Sequence, residues 1–143
     1  GGKPLLGICL GMQILFDKSE EHGLHYGLGY IPGTVVKILQ KDKNGVRKIP
    51  HIGWNALYSS EKQQNKWSKT ILTNTKRGES FYFVHSYMAV PENNSDILAK
   101  CEYEGAQITA AIKRDNIMGL QFHPEKSGES GLKILSEFVH GKY

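Results

Sequence analysis

Two short stretches hold the residue types that acyl-transfer chemistry needs. Gly7-Ile8-Cys9-Leu10-Gly11 has the form Gly-x-nucleophile-x-Gly, in which small residues flank a nucleophile on a sharp turn from a strand into a helix. A thiol at such a turn sits by a helix N-terminus, where the dipole and free N–H groups lower its pKa and can hold a developing oxyanion. Gln121-Phe122-His123-Pro124-Glu125 follows an apolar run. In an extended chain the alternate positions His123 and Glu125 project to one side, and Pro124 favours that extension at His123. A carboxylate beside an imidazole orients the ring, selects its tautomer and stabilises the imidazolium that forms when the ring takes a thiol proton. Cys9 is therefore expected to attack a carbonyl, with His123 as base and Glu125 as orienter. Each half has a plain alternative: a cysteine ending a strand is more often only buried, and surface His and Glu meet often without consequence. The elbow lying far upstream of the His-x-Glu, in one α/β pattern, favours the chemical reading.

Those residues must be positioned by regular elements, and the apolar pattern supplies them. Leu5 to Ile8 reads as a buried parallel strand, and Leu10 to Phe16 continues with helical spacing. After the glycine-rich stretch from Gly23 to Gly33, Thr34 to Leu39 is β-branched and apolar, and Lys41-Asp42-Lys43-Asn44-Gly45 offers a hairpin turn to a following strand. Ile52 to Tyr58 is a further strand candidate. Ser59 to Gly78 is polar around a lone Trp67 and reads as a surface connection with room for a short helix. Phe81 to His85 is strongly β-prone, and strands are expected at 97–103, 108–113 and 117–122, with turns at Glu104-Gly105 and Asp115-Asn116. Leu132, Ile134, Leu135, Phe138 and Val139 are spaced for an amphipathic closing helix.

Composition narrows the setting. The 143 residues ask for one domain, and 18 basic against 14 acidic side chains are scattered rather than massed in a nucleic-acid-binding stripe. Two cysteines, Cys9 and Cys101, are too few for a disulfide framework and suit a reducing, cytoplasmic compartment. The longest apolar run, Leu5 to Leu10, is too short to cross a bilayer, and a soluble protein is expected. His22, His25 and His51 form no pattern of metal ligation and read as surface or loop histidines, so neither a metal nor an organic cofactor is expected. The opening Gly1-Gly2-Lys3-Pro4, without Met, reads as a piece cut from a longer chain.

Gly7-Ile8-Cys9-Leu10-Gly11-Met12-Gln13 and Gln121-Phe122-His123-Pro124-Glu125-Lys126-Ser127 resemble the two signature segments of class I glutamine amidotransferases. Three more segments, Gly27 to Ile31, Ile52 to Asn55 and Tyr82 to Tyr87, resemble the glutaminase subunits of imidazole glycerol phosphate synthases. The resemblance implies an α/β, three-layer flavodoxin-like fold with a mixed, largely parallel sheet. Residues 1–143 would be the carboxy-terminal part of a single amidotransferase domain that lacks its first strands and a glycine-rich loop with a second oxyanion donor. It implies hydrolysis of L-glutamine through a thioester at Cys9, with ammonia passed to a cyclase subunit with a (β/α)8 barrel in a heterodimer of histidine biosynthesis. Carried over by position, Leu10 offers an oxyanion N–H, Gln13, His85 and Ser86 line the glutamine pocket, and Trp54, Tyr82 and Lys126 face the cyclase. For Trp54 and Tyr82 the plain alternative is core packing, and for Lys126 a solvated charge. No nucleic acid or membrane is implied.

Three other readings remain compatible with these residues. The same glutaminase chemistry can serve a surface-sugar pathway, a fold of this kind can survive as a binding module, and the elbow can act on peptides or γ-glutamyl compounds. Intact Cys9, His123 and Glu125 weigh against the second.

Overall fold

The computed structural model describes residues 2–59 and 66–141. The chain runs β1 (Leu5–Ile8), α1 (Leu10–Gln13), β2 (Phe16–Ser19), β3 (His25–Tyr26), β4 (Ile31–Lys37), β5 (Lys41–Asp42), β6 (Gly45–Val46), β7 (His51–Ala56), β8 (Ser80–His85), β9 (Tyr87–Pro91), β10 (Ile97–Tyr103), β11 (Ala106–Arg114), β12 (Ile117–Leu120) and α2 (Gly128–His140). One sheet has the order β1-β12-β11-β10 and a second the order β3-β2-β4-β9, while β5-β6 and β7-β8 form two-stranded ladders. Both larger sheets are mixed. The parallel pairs are β1 with β12 and β2 with β4, and the remaining pairs are antiparallel.

The fully buried run Ile108, Ala110, Ala111 and Ile112 explains why β11 lies inside its sheet, covered on both faces. One core gathers Leu57, Phe81, Phe83, Ile108, Leu120, Phe122 and Ile134, and a second gathers Met12, Leu15, Phe16, Ile31 and Val35 around Ile112 of β11. Glu104 and Asp115 take positive φ (46° and 54°) at the two expected turns, a conformation short polar residues and Gly tolerate best.

Four expectations change. The helix after Cys9 stops at Gln13, because Leu15 and Phe16 turn into the second core and Phe16 opens β2. Residues 41–46 do form a hairpin, but it is the short β5-β6 ladder; β4 pairs instead with β2 and β9. The stretch from Ser59 to Gly78 falls partly outside the described residues. Its described part is no surface connection: Trp67, Ile71 and Leu72 are buried in the main core, and the Trp67 indole N–H donates to the Leu98 carbonyl at 2.7 Å. The chain there makes turns rather than a helix. His51, read as a surface histidine, is completely buried on β7, while His22 and His25 are exposed. The closing helix is amphipathic as expected through Ile134 and Phe138, although Leu132 and Val139 face solvent.

Candidate active site

The register of two adjacent parallel strands brings the signature segments together. Ile8 pairs with Leu120, the Cys9 N–H donates to the Leu120 carbonyl at 2.7 Å, and both chains leave the sheet at the same end. Cys9 turns abruptly, with φ 54° and ψ −108°, a strained conformation for a residue with a Cβ. The turn needs room on its inner side. A Cβ on Gly7 would lie 2.3 Å from the Gly11 carbonyl oxygen, so glycine there is a steric requirement of the elbow.

The thiol is half-buried and faces polar groups on several sides. The Gln121 amide nitrogen lies 3.7 Å from Cys9 Sγ, and Sγ is 3.8 Å from the Val84 carbonyl. Burial pushes the thiol pKa up, and the carboxylates of Glu125 and Glu21 add to that; the Leu10 N–H and the Gln121 amide oppose it. The lowering expected from a helix N-terminus is thus present at the Leu10 N–H but outweighed by burial. Four residues of helix carry little dipole, and burial first, then the nearby carboxylates, favour the neutral thiol.

His123 follows β12 and is extended, with its N–H donating to the Tyr82 carbonyl at 3.0 Å. Pro124–Lys126 then forms a 3-10 turn, so Glu125 meets the imidazole by curling back, not by strand alternation. Its Oε1 and Oε2 lie 2.9 and 3.3 Å from His123 Nδ1. This contact assigns the Nδ1–H tautomer in the neutral ring and leaves Nε2 as the proton acceptor. The turn is braced from both sides. Ser127 Oγ donates to the His123 carbonyl and accepts from the Tyr82 N–H, and Gly131 of α2 lies so close that an added Cβ would sit 1.8 Å from the Pro124 carbonyl oxygen.

The cleft beside Cys9 has a volume of about 240 Å³ and is lined by Leu10, Gln13, Glu21, Val84, His85, Ser86 and Tyr87. All four residues assigned to the pocket from sequence thus meet there. Gln13 is buried, and its amide nitrogen donates to the Tyr87 carbonyl and to Gln121 Oε1, both at 3.1 Å. Leu10 presents its backbone at the first position of α1 with an exposed side chain. Two further residues of the site were not singled out from the sequence. Gln121 links Gln13 to the thiol, and Glu21 places a carboxylate on the cleft wall. The signal for Gln121 was its place two residues before His123 on the same segment; Glu21 sits in an ordinary polar stretch and gave none.

Trp54 and Tyr82 face each other across β7 and β8 with ring centroids 6.0 Å apart, edge to face. Trp54 is 56% exposed, which sets aside core packing for it; Tyr82 is half-buried, and Lys126 is exposed on the turn that Tyr82 braces. Among the described residues no group of three or more His, Cys, Asp or Glu side chains is arranged to hold a metal, and no helix is long and apolar enough to cross a membrane.

The model for glutamine amidotransferase class-I matches residues 1–141. The imidazole glycerol phosphate synthase subunit HisH 1 of Legionella pneumophila (strain Lens) is 52% identical over 139 residues, covering 96% of this chain and 65% of that protein. The HisH subunit of Aquifex aeolicus is 49% identical over 137 residues, with 96% and 60% covered. The chain therefore spans somewhat less than two thirds of the length of these curated relatives. Among solved structures, the glutaminase domain of Trypanosoma brucei CTPS with bound acivicin superposes with a TM-score of 0.56 at 17% identity, over 98% of this chain and 61% of that one, a likeness of fold. With a strained turn at Cys9, a His–Glu pair just past the end of the adjacent strand and a family model that matches nearly every residue, this chain belongs to the class-I glutamine amidotransferase family.

Proposed function

We propose that this chain is the carboxy-terminal part of a glutaminase subunit that hydrolyses L-glutamine to glutamate and ammonia. The observation that carries the reading is a thiol on a strained turn, opening on a cleft that also holds Gln13 and the carboxylate of Glu21. This lining suits a small amino acid: Glu21 is fitted to its ammonium group, and Cys9 to a carbonyl at the other end of the molecule. His123 Nε2 takes the thiol proton as sulfur attacks the side-chain amide carbon. The tetrahedral oxyanion is held by the Leu10 N–H. Collapse breaks the C–N bond while His123 returns the proton to the leaving nitrogen, releasing ammonia and a thioester on Cys9. Water, activated by His123, then cleaves the C–S bond to give glutamate and the free thiol. Glu125 orients the ring and stabilises its cation throughout.

Burial makes Cys9 hold its proton more tightly than a free thiol does, so the thiolate forms as substrate is attacked. The ammonia passes to a cyclase subunit with a (β/α)8 barrel, which forms imidazole glycerol phosphate in cytoplasmic histidine biosynthesis. Trp54, Tyr82 and Lys126 form the docking face. The relatives named HisH support that assignment, as does an exposed Trp edge-packed on a Tyr whose backbone carbonyl holds the His123 N–H.

The test is to treat the full-length protein, with and without the barrel subunit, with a chloroketone analogue of glutamine, to map the adduct, and to follow glutamate release. Labelling at Cys9 with release that rises on adding the barrel subunit is expected. A folded complex with unlabelled Cys9 and no glutamate formed would overturn the reading.

A further inference from the structure

The dry wall behind the cleft contains a pair of histidines whose protons do not add up as two neutral rings. His51 and His85 are directly opposed across β7 and β8, and their facing nitrogens, His51 Nδ1 and His85 Nε2, are 2.9 Å apart. At the outer end, His51 Nε2 lies 2.7 Å from Asn55 Oδ1. That amide cannot be turned round, because its nitrogen donates to the Glu102 carbonyl at 3.0 Å, and a carbonyl only accepts. At the inner end, His85 Nδ1 lies 2.7 Å from the Tyr87 carbonyl, again an acceptor only. Both outward nitrogens must therefore carry hydrogen. Two neutral rings have no further N–H to offer, and the two inward nitrogens would face each other lone pair to lone pair.

We propose that His51 and His85 share one additional proton as a buried imidazole–imidazolium pair, and that His51 is thereby a positioning residue for the Cys9 reaction. The proposal rests on the glutaminase reading for its catalytic half and on the hydrogen-bond count alone for its structural half. From the pair the chain of contacts continues inward. The Tyr87 carbonyl that holds His85 also accepts from the Gln13 amide, Gln13 donates to Gln121, and Gln121 reaches Cys9 Sγ. One unbroken series of hydrogen bonds thus runs from the backbone of β10 through Asn55, the neighbour of Trp54, to the nucleophile. Without the shared proton one contact in the series must open, and the wall of the cleft loses a positive charge that favours an oxyanion.

The surroundings set the balance. His51 is stacked between Phe83 of β8 and Tyr103 of β10, with centroids 4.9 and 4.0 Å away, and no carboxylate acts on it. The titratable groups facing His85 are His51 itself and His123 beyond β12, both of which oppose charge on it, with Cys9 and Glu21 across the cleft. Burial lowers both rings; with His51 and His123 opposing its charge, His85 stands at about 4 even though the Tyr87 carbonyl favours its cation, and the Asn55 oxygen favours the cation of His51. A raised or lowered balance point changes only where the proton leaves, not the sign. The pair is complete at low pH and comes apart as pH rises.

The deciding experiment is a long-range 1H–15N spectrum of the histidine rings in the full-length protein with its partner, followed from about pH 5 to 8. A shared proton places imidazolium character on the two inward nitrogens together with N–H at both outward ones. Two neutral rings with one protonated nitrogen each across the whole range would overturn the pair. Kinetics then tests the role. His51→Asn puts an amide N–H where Nδ1 stood and needs no extra proton, so kcat/KM is expected within a few-fold of the parent, with the parent's decline at rising pH removed. His51→Leu lowers kcat about tenfold, the scale of one buried hydrogen bond. Unchanged pH profiles in both variants would remove the positioning role while the spectrum still decides the proton. A parent with no glutaminase activity would sink the functional reading instead and leave the proton count standing.

Discussion

Cys9 and Cys101 are the same side chain in two different surroundings. Both thiols are pushed above their ordinary value by burial. Cys101, in the middle of β10, has nothing to oppose the effect and is raised to about 12. Cys9 lies at the end of its strand, half-exposed, with the Leu10 N–H and the Gln121 amide pulling the other way. Placement at a strand end, and not the residue type, separates the two surroundings, because there a backbone donor and solvent reach the sulfur.

The largest way to test that contrast is a reciprocal substitution in the full-length complex. Cys9→Ala is expected to cut glutamate release about 10⁴-fold or more, and Cys101→Ala to leave it within a factor of about two. Comparable losses in both variants would mean that the contrast does not govern activity. Next in size is alkylation by iodoacetamide. Cys9 should react roughly 100-fold faster than Cys101 in the folded protein, with a rate still climbing above about pH 8.5, where a free thiol levels off, because its pKa is raised. A plateau below that pH would show a depressed pKa and reverse the sign argued here. A sharper probe is Gln121→Met, which removes a donor from the sulfur while keeping bulk. Cys9 alkylation near neutral pH should slow about fivefold, the worth of one neutral hydrogen bond. An unchanged rate would leave burial and the Leu10 N–H as the whole environment.

The smallest effect concerns stability. Cys101 keeps its proton in the fold to about 12, whereas an unfolded thiol releases it near 8.5. The unfolded chain therefore binds fewer protons between those values, and this residue's share of stability, complete below the lower one, is lost as pH rises toward the upper. Cys101→Ala should cost roughly 1 kcal/mol at neutral pH and flatten the alkaline decline in a urea titration.

The sequence reveals the parts of this molecule whose causes are local. Strand propensity in Phe81 to His85 and the turn pairs Glu104-Gly105 and Asp115-Asn116 each depend on neighbours, and each appears where expected. The helix after Cys9 is shorter than its pattern predicts, because Leu15 and Phe16 fit a helical period yet pack with Ile31 and Val35 of β4. Trp67, Ile71 and Leu72 sit in polar surroundings in sequence, and only their contact with Leu98 and the main core marks them as interior. Cys9, His123 and Glu125, to which the proposed reaction is assigned, stand out in the sequence because their spacing is a local signature. The bond from Gln121 to Cys9, between residues 112 positions apart, depends on the β1-β12 register, which no local pattern encodes. His51 looks like a surface histidine in the sequence for the same reason. Its burial comes from Phe83 and Tyr103 on other strands.

Gly131 leaves no gap between α2 and the turn that carries Glu125. The final helix therefore works as a gauge block: its seating depth sets how far the carboxylate stands from His123. Tolerance to substitution in this protein should accordingly be mapped by thickness, not by distance along the chain. A single methyl group at Gly131→Ala, six residues downstream of Glu125 and on the far side of the turn, should lower kcat while sparing KM. The exposed helix positions Leu132 and Val139 should accept change freely.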